Sequence, residues 1–205
     1  MTTLQKVIKY LAIALAIFLT VTIIGGILSA VGLFGGLFAW DTATEDMKTY
    51  TVTSEIHNLK IQINAADLYI KEADDFSVES NLKYLKVEEK DNTLIIEETK
   101  KFSGTYSDAV LTIYVPTGVV FDNTDLTTGA GRLTIETLSS GTLNFELGAG
   151  DVSINSLVAT TSADIEGGAG RITIDGGTLK DLDLEMGVGQ LNLTSALTGN
   201  CQMDL

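Results

Sequence analysis

Four side chains that could take part in ligand binding follow the glycines of a short sequence motif that recurs near the end of the chain. They are Arg132, Asp151, Arg171 and Gln190, each placed directly after a Gly-x-Gly triplet. Stacked in register, they would form a ladder in which the Asp151 carboxylate lies between two guanidinium groups. A small ligand could bind along such a ladder, but exposed ion pairs of this kind ordinarily do little more than keep a surface soluble. We therefore predict a solvated ladder without a ligand.

The glycine triplets also resemble two known binding motifs. Gly167-Gly168-Ala169-Gly170 begins like the calcium-binding GGxGxDxUx repeat, which needs an aspartate after the third glycine in successive repeats. Only Asp151 meets that requirement, and the period is about twice too long. A phosphate-binding glycine loop must open a helix, whereas an alternating strand pattern follows each triplet here. The sequence predicts no metal site and no cofactor.

Residues for nucleophilic or acid–base catalysis are sparse. His57 is the only histidine and Cys201 the only cysteine, so the chain offers neither a His–Cys zinc site nor an internal disulfide. Carboxylates are plentiful enough for a glycosidase pair. However, no spacing in the sequence fixes two of them at a useful separation. We predict that the protein is not an enzyme and has no catalytic residues.

The phrase that carries these side chains is a repeat. GAGRLTI, GAGDVSI, GAGRITI and GVGQLNL begin 19, 20 and 19 residues apart, at Gly129, Gly148, Gly168 and Gly187. After each triplet, apolar and polar residues alternate as in a strand with one buried face, and a second alternating run follows a turn. One winding cannot bury its own apolar face, but stacked windings share an interior. The sequence predicts an all-β fold, a β-solenoid with windings of 19–20 residues and glycine at the corners.

The residues before the repeat also alternate. No helical period is visible after Val52, so the whole of 51–205 is predicted to be β-structure. A hairpin is expected about Asp91-Asn92. The expected strands are 59–63, 68–70, 76–78, 82–87, 93–97 and 110–115.

The first 40 residues have a different character. The stretch 10–40 contains no charged residue and exceeds the ~20 residues that a membrane-spanning helix needs. Lys6 and Lys9 precede it and acidic residues follow it, so residues 1–9 should be cytoplasmic and the bulk of the chain extracytoplasmic. A cleaved signal peptide is the alternative, although its apolar core is usually about 7–15 residues. We predict a transmembrane helix over 10–40, a polar linker over 41–50 and a location in the cell membrane.

Charge is segregated along the chain. Residues 41–205 carry 11 basic and 27 acidic side chains, a net charge of −16. Such a surface repels nucleic-acid phosphate, so we expect no nucleic-acid partner. It attracts cations and cationic peptides. We expect the partners to be the membrane itself and either a cationic peptide or another envelope or membrane protein.

Three features together resemble a known family. They are LKIQINAADLYIKEADDFSV (59–78), LTIYVPTGVVFD (111–122) and the GAG-framed windings. In these features, which cover about three-quarters of the chain, the sequence is similar to the bacterial putative-adhesin family of unknown function. The resemblance implies a β-solenoid carried by membrane proteins of the Gram-positive cell envelope, and it suggests a role in envelope stress sensing. It implies no active-site residues.

The leading hypothesis is a membrane-anchored, extracytoplasmic binding or scaffold protein that acts in envelope surveillance. A surface adhesin is the alternative. The linker of about ten residues favours the first, because an adhesin needs reach beyond the cell wall. The apolar face of the last winding has no cover before Leu205, so we expect the chain to be a fragment or another chain to cover that face.

Overall fold

The computed structural model describes residues 43–99 and 106–205, and every regular element within them is a β-strand. The predicted segments 1–9 and 10–40 lie outside the described residues. Within those two described ranges, the chain has no helix that could span a bilayer. The strands are β1 (Thr44–Thr51), β2 (Asn58–Ala65), β3 (Asp67–Ala73), β4 (Ser77–Leu82), β5 (Leu85–Lys90), β6 (Thr93–Glu98), β7 (Val110–Pro116), β8 (Phe121–Ile174), β9 (Gly177–Lys180), β10 (Leu182–Leu193), β11 (Ala196–Thr198) and β12 (Gln202–Asp204).

The strands wind into a stack of coils, as the repeat predicts. Parallel pairing joins each coil to the next, for example between β10 and β8 and between β10 and β12. Each full coil has three straight runs, which form three long faces of the stack. Face A consists of 58–65, 123–128, 142–147, 163–167, 182–186 and 202–204; face B of 67–73, 132–136, 151–155, 171–174 and 190–193; and face C of 137–140, 157–160, 177–180 and 196–198. The alternating sequence pattern predicts only the strands of faces A and B. At the positions of the short face C strands it predicts turns.

The glycine triplets form the corner between faces A and B. Strand register places Gly189 beside Gly170. A Cβ on Gly150 would lie only 1.8 Å from the carbonyl oxygen of Gly131, so consecutive corners touch backbone to backbone. The second glycine of each triplet has a positive φ, which glycine adopts without steric cost. The predicted in-register column of glycine corners is confirmed.

The column begins one winding earlier than the repeat. β2 and β3 meet at the sequence Asn64-Ala65-Ala66, which lies directly against the first glycine corner. A Cβ on Gly129 would be 2.2 Å from the Asn64 carbonyl oxygen.

The apolar residues of all three faces share one interior. Phe121 and Phe145 are the largest of the fully buried side chains. The few buried polar groups are paired: the Thr124 and Ser140 hydroxyls lie 3.3 Å apart, and Ser140 Oγ donates to the Thr142 carbonyl over 2.8 Å. Hydrogen-bonded in this way, the hydroxyls avoid most of the cost of burial.

Antiparallel strands cover the first end of the stack. β6 and β7 extend it in parallel beyond β2 and β3, and β5 and β4 then pair antiparallel to β6 and β7. The predicted hairpin about Asp91-Asn92 is confirmed, and both residues have the positive φ of a tight turn. β1 pairs with β4, so residues 44–50 of the stretch that the sequence indicates as linker form a strand. Its exposed, polar residues give that strand no alternating signal.

A carboxylate ties β5 to the segment that follows β1. Glu89 accepts hydrogen bonds from the amides of Thr53 (3.1 Å) and Ser54 (2.8 Å). Hydrogen bonds from Ser54, first from its side chain and then from its amide, hold the pKa of the Glu89 carboxyl below its ordinary value, and the Thr53 amide adds to this. The bonds favour the charged carboxylate, so their contribution is present above the unfolded pKa and is lost as the pH falls through the folded one.

Replacing Glu89 by glutamine should therefore lower stability in a pH-dependent way. At pH 7 we expect Glu89→Gln to melt at a lower temperature than the parent, by an amount equivalent to about 1 kcal/mol. The difference should shrink as the pH falls below the ordinary glutamate pKa of about 4.3 and onward through the lower pKa of the folded parent. Melting curves between pH 3 and pH 7 would measure it, with Asp74→Asn, which removes a carboxylate from an exposed position, as a control. A constant difference at every pH would show that the charge of Glu89 is irrelevant.

Candidate binding surface

Face A concentrates acidic side chains in two rows. One row follows the corner: Glu146, Glu166, Glu185 and Asp204 succeed one another, and register pairs Glu185 with both of its neighbours. The second row runs parallel to it, two residues further from the corner, and contains Asp125, Asp164 and Asp183. All seven side chains are exposed, and from residue 123 onward face A contains no lysine or arginine. Neighbouring strands lie about 4.8 Å apart, so the rows are closely spaced lines of negative charge.

A groove runs between the first acidic row and the glycine corner. It measures about 670 Å³, and Glu146, Glu166, Glu185 and Asp204 line it. Glycines of the corner form its opposite side, which leaves the backbone accessible there. Thr127 lies at the end of the groove nearest β2, and its hydroxyl is 3.3 Å from the Glu146 carboxylate. The shape and charge suit an extended, positively charged chain.

Face B carries the predicted ladder and is electrically mixed. Arg171 Nη1 lies 3.6 Å from Asp151 Oδ1, and Arg171 Nε donates to Gln190 Oε1 over 3.4 Å. Arg132 instead lies 3.8 Å from the carboxylate of Asp67, which occupies the same position one winding earlier. The ladder therefore exists with one more rung than the repeat predicts. Its members are well exposed, as expected of a solvated surface feature.

The single histidine and the single cysteine lie far apart in the fold. Nδ1 of His57 is 3.4 Å from the carboxylate of Asp122, and its Nε2 is 3.5 Å from that of Glu55, on a half-exposed surface. Cys201 is exposed between β11 and β12. Across residues 43–99 and 106–205, no three histidine, cysteine, aspartate or glutamate side chains are grouped to hold a metal. The cavity inside the glycine corner measures only about 20 Å³, roughly the space of one water molecule.

Comparison with known proteins places this architecture in a family. Residues 56–203 match the family described as Toastrack DUF4097, which is well over half of the chain. The chain belongs to the Toastrack DUF4097 family. This confirms the resemblance to a family of adhesin-like domains of unknown function. No curated protein matches the sequence.

Several solved structures are similar to this Toastrack chain. One is a putative cell adhesion protein from Clostridium sporogenes, with 14% identity and a TM-score of 0.45 over 77% of this chain and 99% of that one. A putative adhesin from Bacteroides fragilis has 13% identity and a TM-score of 0.37, covering 79% and 100% of the two chains. A putative lipid binding protein from Parabacteroides distasonis has 13% identity and a TM-score of 0.29, covering 80% and 98%. These likenesses do not extend to function.

The acidic rows of the Toastrack domain should make its stability dependent on salt. Glu166 has a carboxylate on either side at about strand spacing, so each neighbour repels it by up to about 1 kcal/mol in dilute buffer. We expect Glu166→Gln to raise the melting temperature at low ionic strength, and the gain to fade near 0.5 M salt, where screening is strong. Asp175→Asn removes one charge from an exposed position outside face A and serves as the control. An equal rise in melting temperature in both variants would mean that repulsion within the acidic rows does not lower the stability.

Proposed function

We propose that this protein is a membrane-anchored, extracytoplasmic binding or scaffold domain that holds a cationic peptide, or a basic segment of another envelope protein, on face A. It would act in surveillance of the cell envelope. The observation that carries the proposal is the segregation of seven exposed carboxylates on face A, which from residue 123 onward contains no basic side chain. Lys60, on the preceding run of the face, pairs in register with Asp125 at one end of the second row. The other two faces have no comparable run of a single charge.

The spacing of the carboxylates favours a peptide over a small ion. Along one winding, Asp183 and Glu185 project from the same side of the strand, two residues or about 7 Å apart. Alternate side chains of an extended peptide have this same spacing, so a Lys-x-Lys segment can match the acidic pair of either of two neighbouring windings, Asp164 with Glu166 or Asp183 with Glu185. Exposed ion pairs are individually weak, so binding should depend on several of them and should weaken steeply with salt.

The anchor is the second component of the proposal. The uncharged stretch 10–40 and the lysines before it support a cytoplasmic N-terminus and an external Toastrack domain. Protease applied to intact cells should digest the acidic domain while residues 1–9 remain protected. Protection of the whole chain in intact cells, with digestion only after lysis, would refute this orientation.

A peptide titration tests the binding function. The full chain is mixed with an oligolysine peptide at 0.05 M and 0.15 M salt, and the dissociation constant is measured. We expect binding that the triple variant Glu146→Gln, Glu166→Gln, Glu185→Gln weakens by about tenfold or more, because three neighbouring ion pairs are lost together. The control triple Asp74→Asn, Asp75→Asn, Asp175→Asn removes equal charge from exposed positions outside face A. It should weaken binding by less than about threefold, because only long-range attraction changes.

The titration also has clear negative outcomes. Equal weakening by both triple variants would mean that net charge, and not face A, attracts the peptide. Absence of binding at 0.05 M salt would refute the hypothesis that the protein binds a cationic partner. In that case the alternative, a surface adhesin, is tested by asking whether cells displaying the chain attach to surfaces or to other cells, with display of the chain lacking residues 43–205 as the control.

A further inference from the structure

A notch opens at the first edge of face C, far from the acidic rows. Face C has no strand before 137–140, and the chain that precedes it in register, residues 117–120, forms a turn and an irregular segment. The Val119 amide donates to the Pro116 carbonyl over 3.2 Å, and Gly118 takes a φ of +83° to make this turn. Among the described residues, no backbone hydrogen bond joins 117–120 to 137–139. The gap between these two segments is about 270 Å³.

The inner surface of the notch is apolar. Val115, Phe121 and Leu138 are buried residues of the core that line it, and Val120 stands at its rim with 59% of its surface exposed. Val120 is one of few large apolar residues so exposed among those the structure describes. An aliphatic chain that entered the notch would cover Val120 and would gain van der Waals contacts with the apolar residues that line the notch.

An acidic side chain lies at one end of this apolar surface, in a position that the strand pattern reserves for the core. Along β3, Leu68 and Ile70 face the interior, and Glu72 is the next residue of the same phase, although its side chain is exposed to solvent. Parallel pairing places Glu72 beside the buried Val115. The Glu72 amide donates to the Glu136 carboxylate over 3.0 Å, which brings a second negative charge to the same end. Within residues 43–99 and 106–205, no side chain forms an ion pair with Glu72.

Polar groups of the first run of face C complete the site. Thr137 and Ser139 line the notch opposite the turn, and their hydroxyls can accept hydrogen bonds. The site therefore combines a short apolar channel, a carboxylate at its end and hydroxyl oxygens beside it. A ligand that complements it has an aliphatic stem and a charged head with several donors.

We propose that the notch binds an arginine side chain presented by a partner protein. The three methylene groups of arginine suit the surface formed by Val115, Val120 and Leu138, and its five N–H donors can reach a carboxylate and hydroxyls at once. Lysine has the same charge, but its compact ammonium is more strongly hydrated and less suited to several planar contacts. A buried arginine in a pocket is a common anchor of protein interfaces. The site is independent of face A and stands whether or not oligolysine binds there.

Methyl-labelled NMR of the full chain tests the proposal with small probes. N-acetylarginine methylamide represents an arginine within a peptide, and free arginine represents the amino acid as a metabolite. We expect the methyl signals of Val119, Val120 and Leu138 to shift and saturate with the capped arginine at about millimolar concentrations, since one side chain contributes limited affinity. Free arginine should bind no more tightly, because its α-ammonium and α-carboxylate offset each other in charge and both lose hydration near the apolar surface.

Matched variants distinguish specific binding of arginine from nonspecific binding of any apolar side chain in the notch. Glu72→Gln should weaken binding of the capped arginine by about threefold to fivefold, since the ion pair with an exposed carboxylate is lost. Glu146→Gln, an equal change on face A, should leave it unchanged, and unshifted methyl signals elsewhere would show that both variants keep the fold. Equal affinity for N-acetylnorleucine methylamide, no saturable shift, or tighter binding of free arginine than of the capped form would each overturn the proposal.

Discussion

Replacing Gly150 by alanine is expected to disrupt the stack of windings. Gly150 has a φ of +147°, which side chains rarely adopt, and an added Cβ would lie 1.8 Å from the carbonyl oxygen of Gly131 and 2.9 Å from its carbon. Neither contact can relax by rotating a side chain, because both atoms belong to the backbone of the preceding corner. We expect a loss of at least about 3 kcal/mol in unfolding free energy, from backbone strain and overlap together. Urea denaturation followed by circular dichroism would measure it.

Three matched variants separate the causes of that loss. Gly118 has a φ of +83° but open space around it, so Gly118→Ala should show the cost of backbone strain alone, about 1–2 kcal/mol. Gly148 lacks a positive φ, but its Cβ would be 2.1 Å from the Gly129 carbonyl oxygen, so Gly148→Ala shows the overlap alone. Ala149→Val should be nearly neutral, because Val188 occupies the same corner position. If Gly150→Ala were no worse than Gly118→Ala, close contact between corners would not be what stabilises the column.

The second large effect is expected from Phe145→Ala. Phe145 is fully buried in the shared interior, in the middle of the face A run 142–147. Truncating a buried phenylalanine removes its transfer free energy and leaves a cavity, which together cost about 3–5 kcal/mol. For a chain of this size the melting temperature should fall by roughly 10 °C.

A neighbouring residue provides the control for this truncation. Asn144 lies on the same run but points to solvent, so Asn144→Ala should change the melting temperature by no more than about 2 °C. Because solenoids can unfold winding by winding, the transition of Phe145→Ala should also be checked for broadening or a second step. A sharp, unshifted transition in Phe145→Ala would contradict the assignment of Phe145 to a continuous core.

The glycine corners and the strands of faces A and B could be predicted because both leave strong periodic signals. Glycine is required wherever Cβ would strike the preceding corner, so it recurs every 19 or 20 residues. Buried strands alternate with period two, which identified β2, β3 and β7 as well as the hairpin turn at Asp91-Asn92. In each of these cases local sequence and tertiary packing require the same residues.

Other features depend on contacts that no single segment shows. Face C runs have only three or four residues, and Ser139-Ser140-Gly141 has the composition of a turn. The first winding does not show the glycine repeat in its sequence, because its corner contains Ala66 in place of glycine. The acidic rows were visible only as scattered carboxylates, yet aligning the repeats at their glycines places Glu146, Glu166 and Glu185 in one column. The notch needed three-dimensional information, because Glu72 and Leu138 are brought together only by folding.

The uniform geometry of the corners also bears on how such a domain could change length during evolution. Duplication of one complete winding would insert about 4.8 Å of stack and leave every backbone contact between neighbouring corners intact. It would also add carboxylates to face A, lengthening the negative surface without altering its pattern. An insertion of half a winding would place a corner glycine next to a residue with a side chain, and the two backbones could no longer pack closely. Gene lengths among relatives should therefore differ in steps of about 19 or 20 codons within this region.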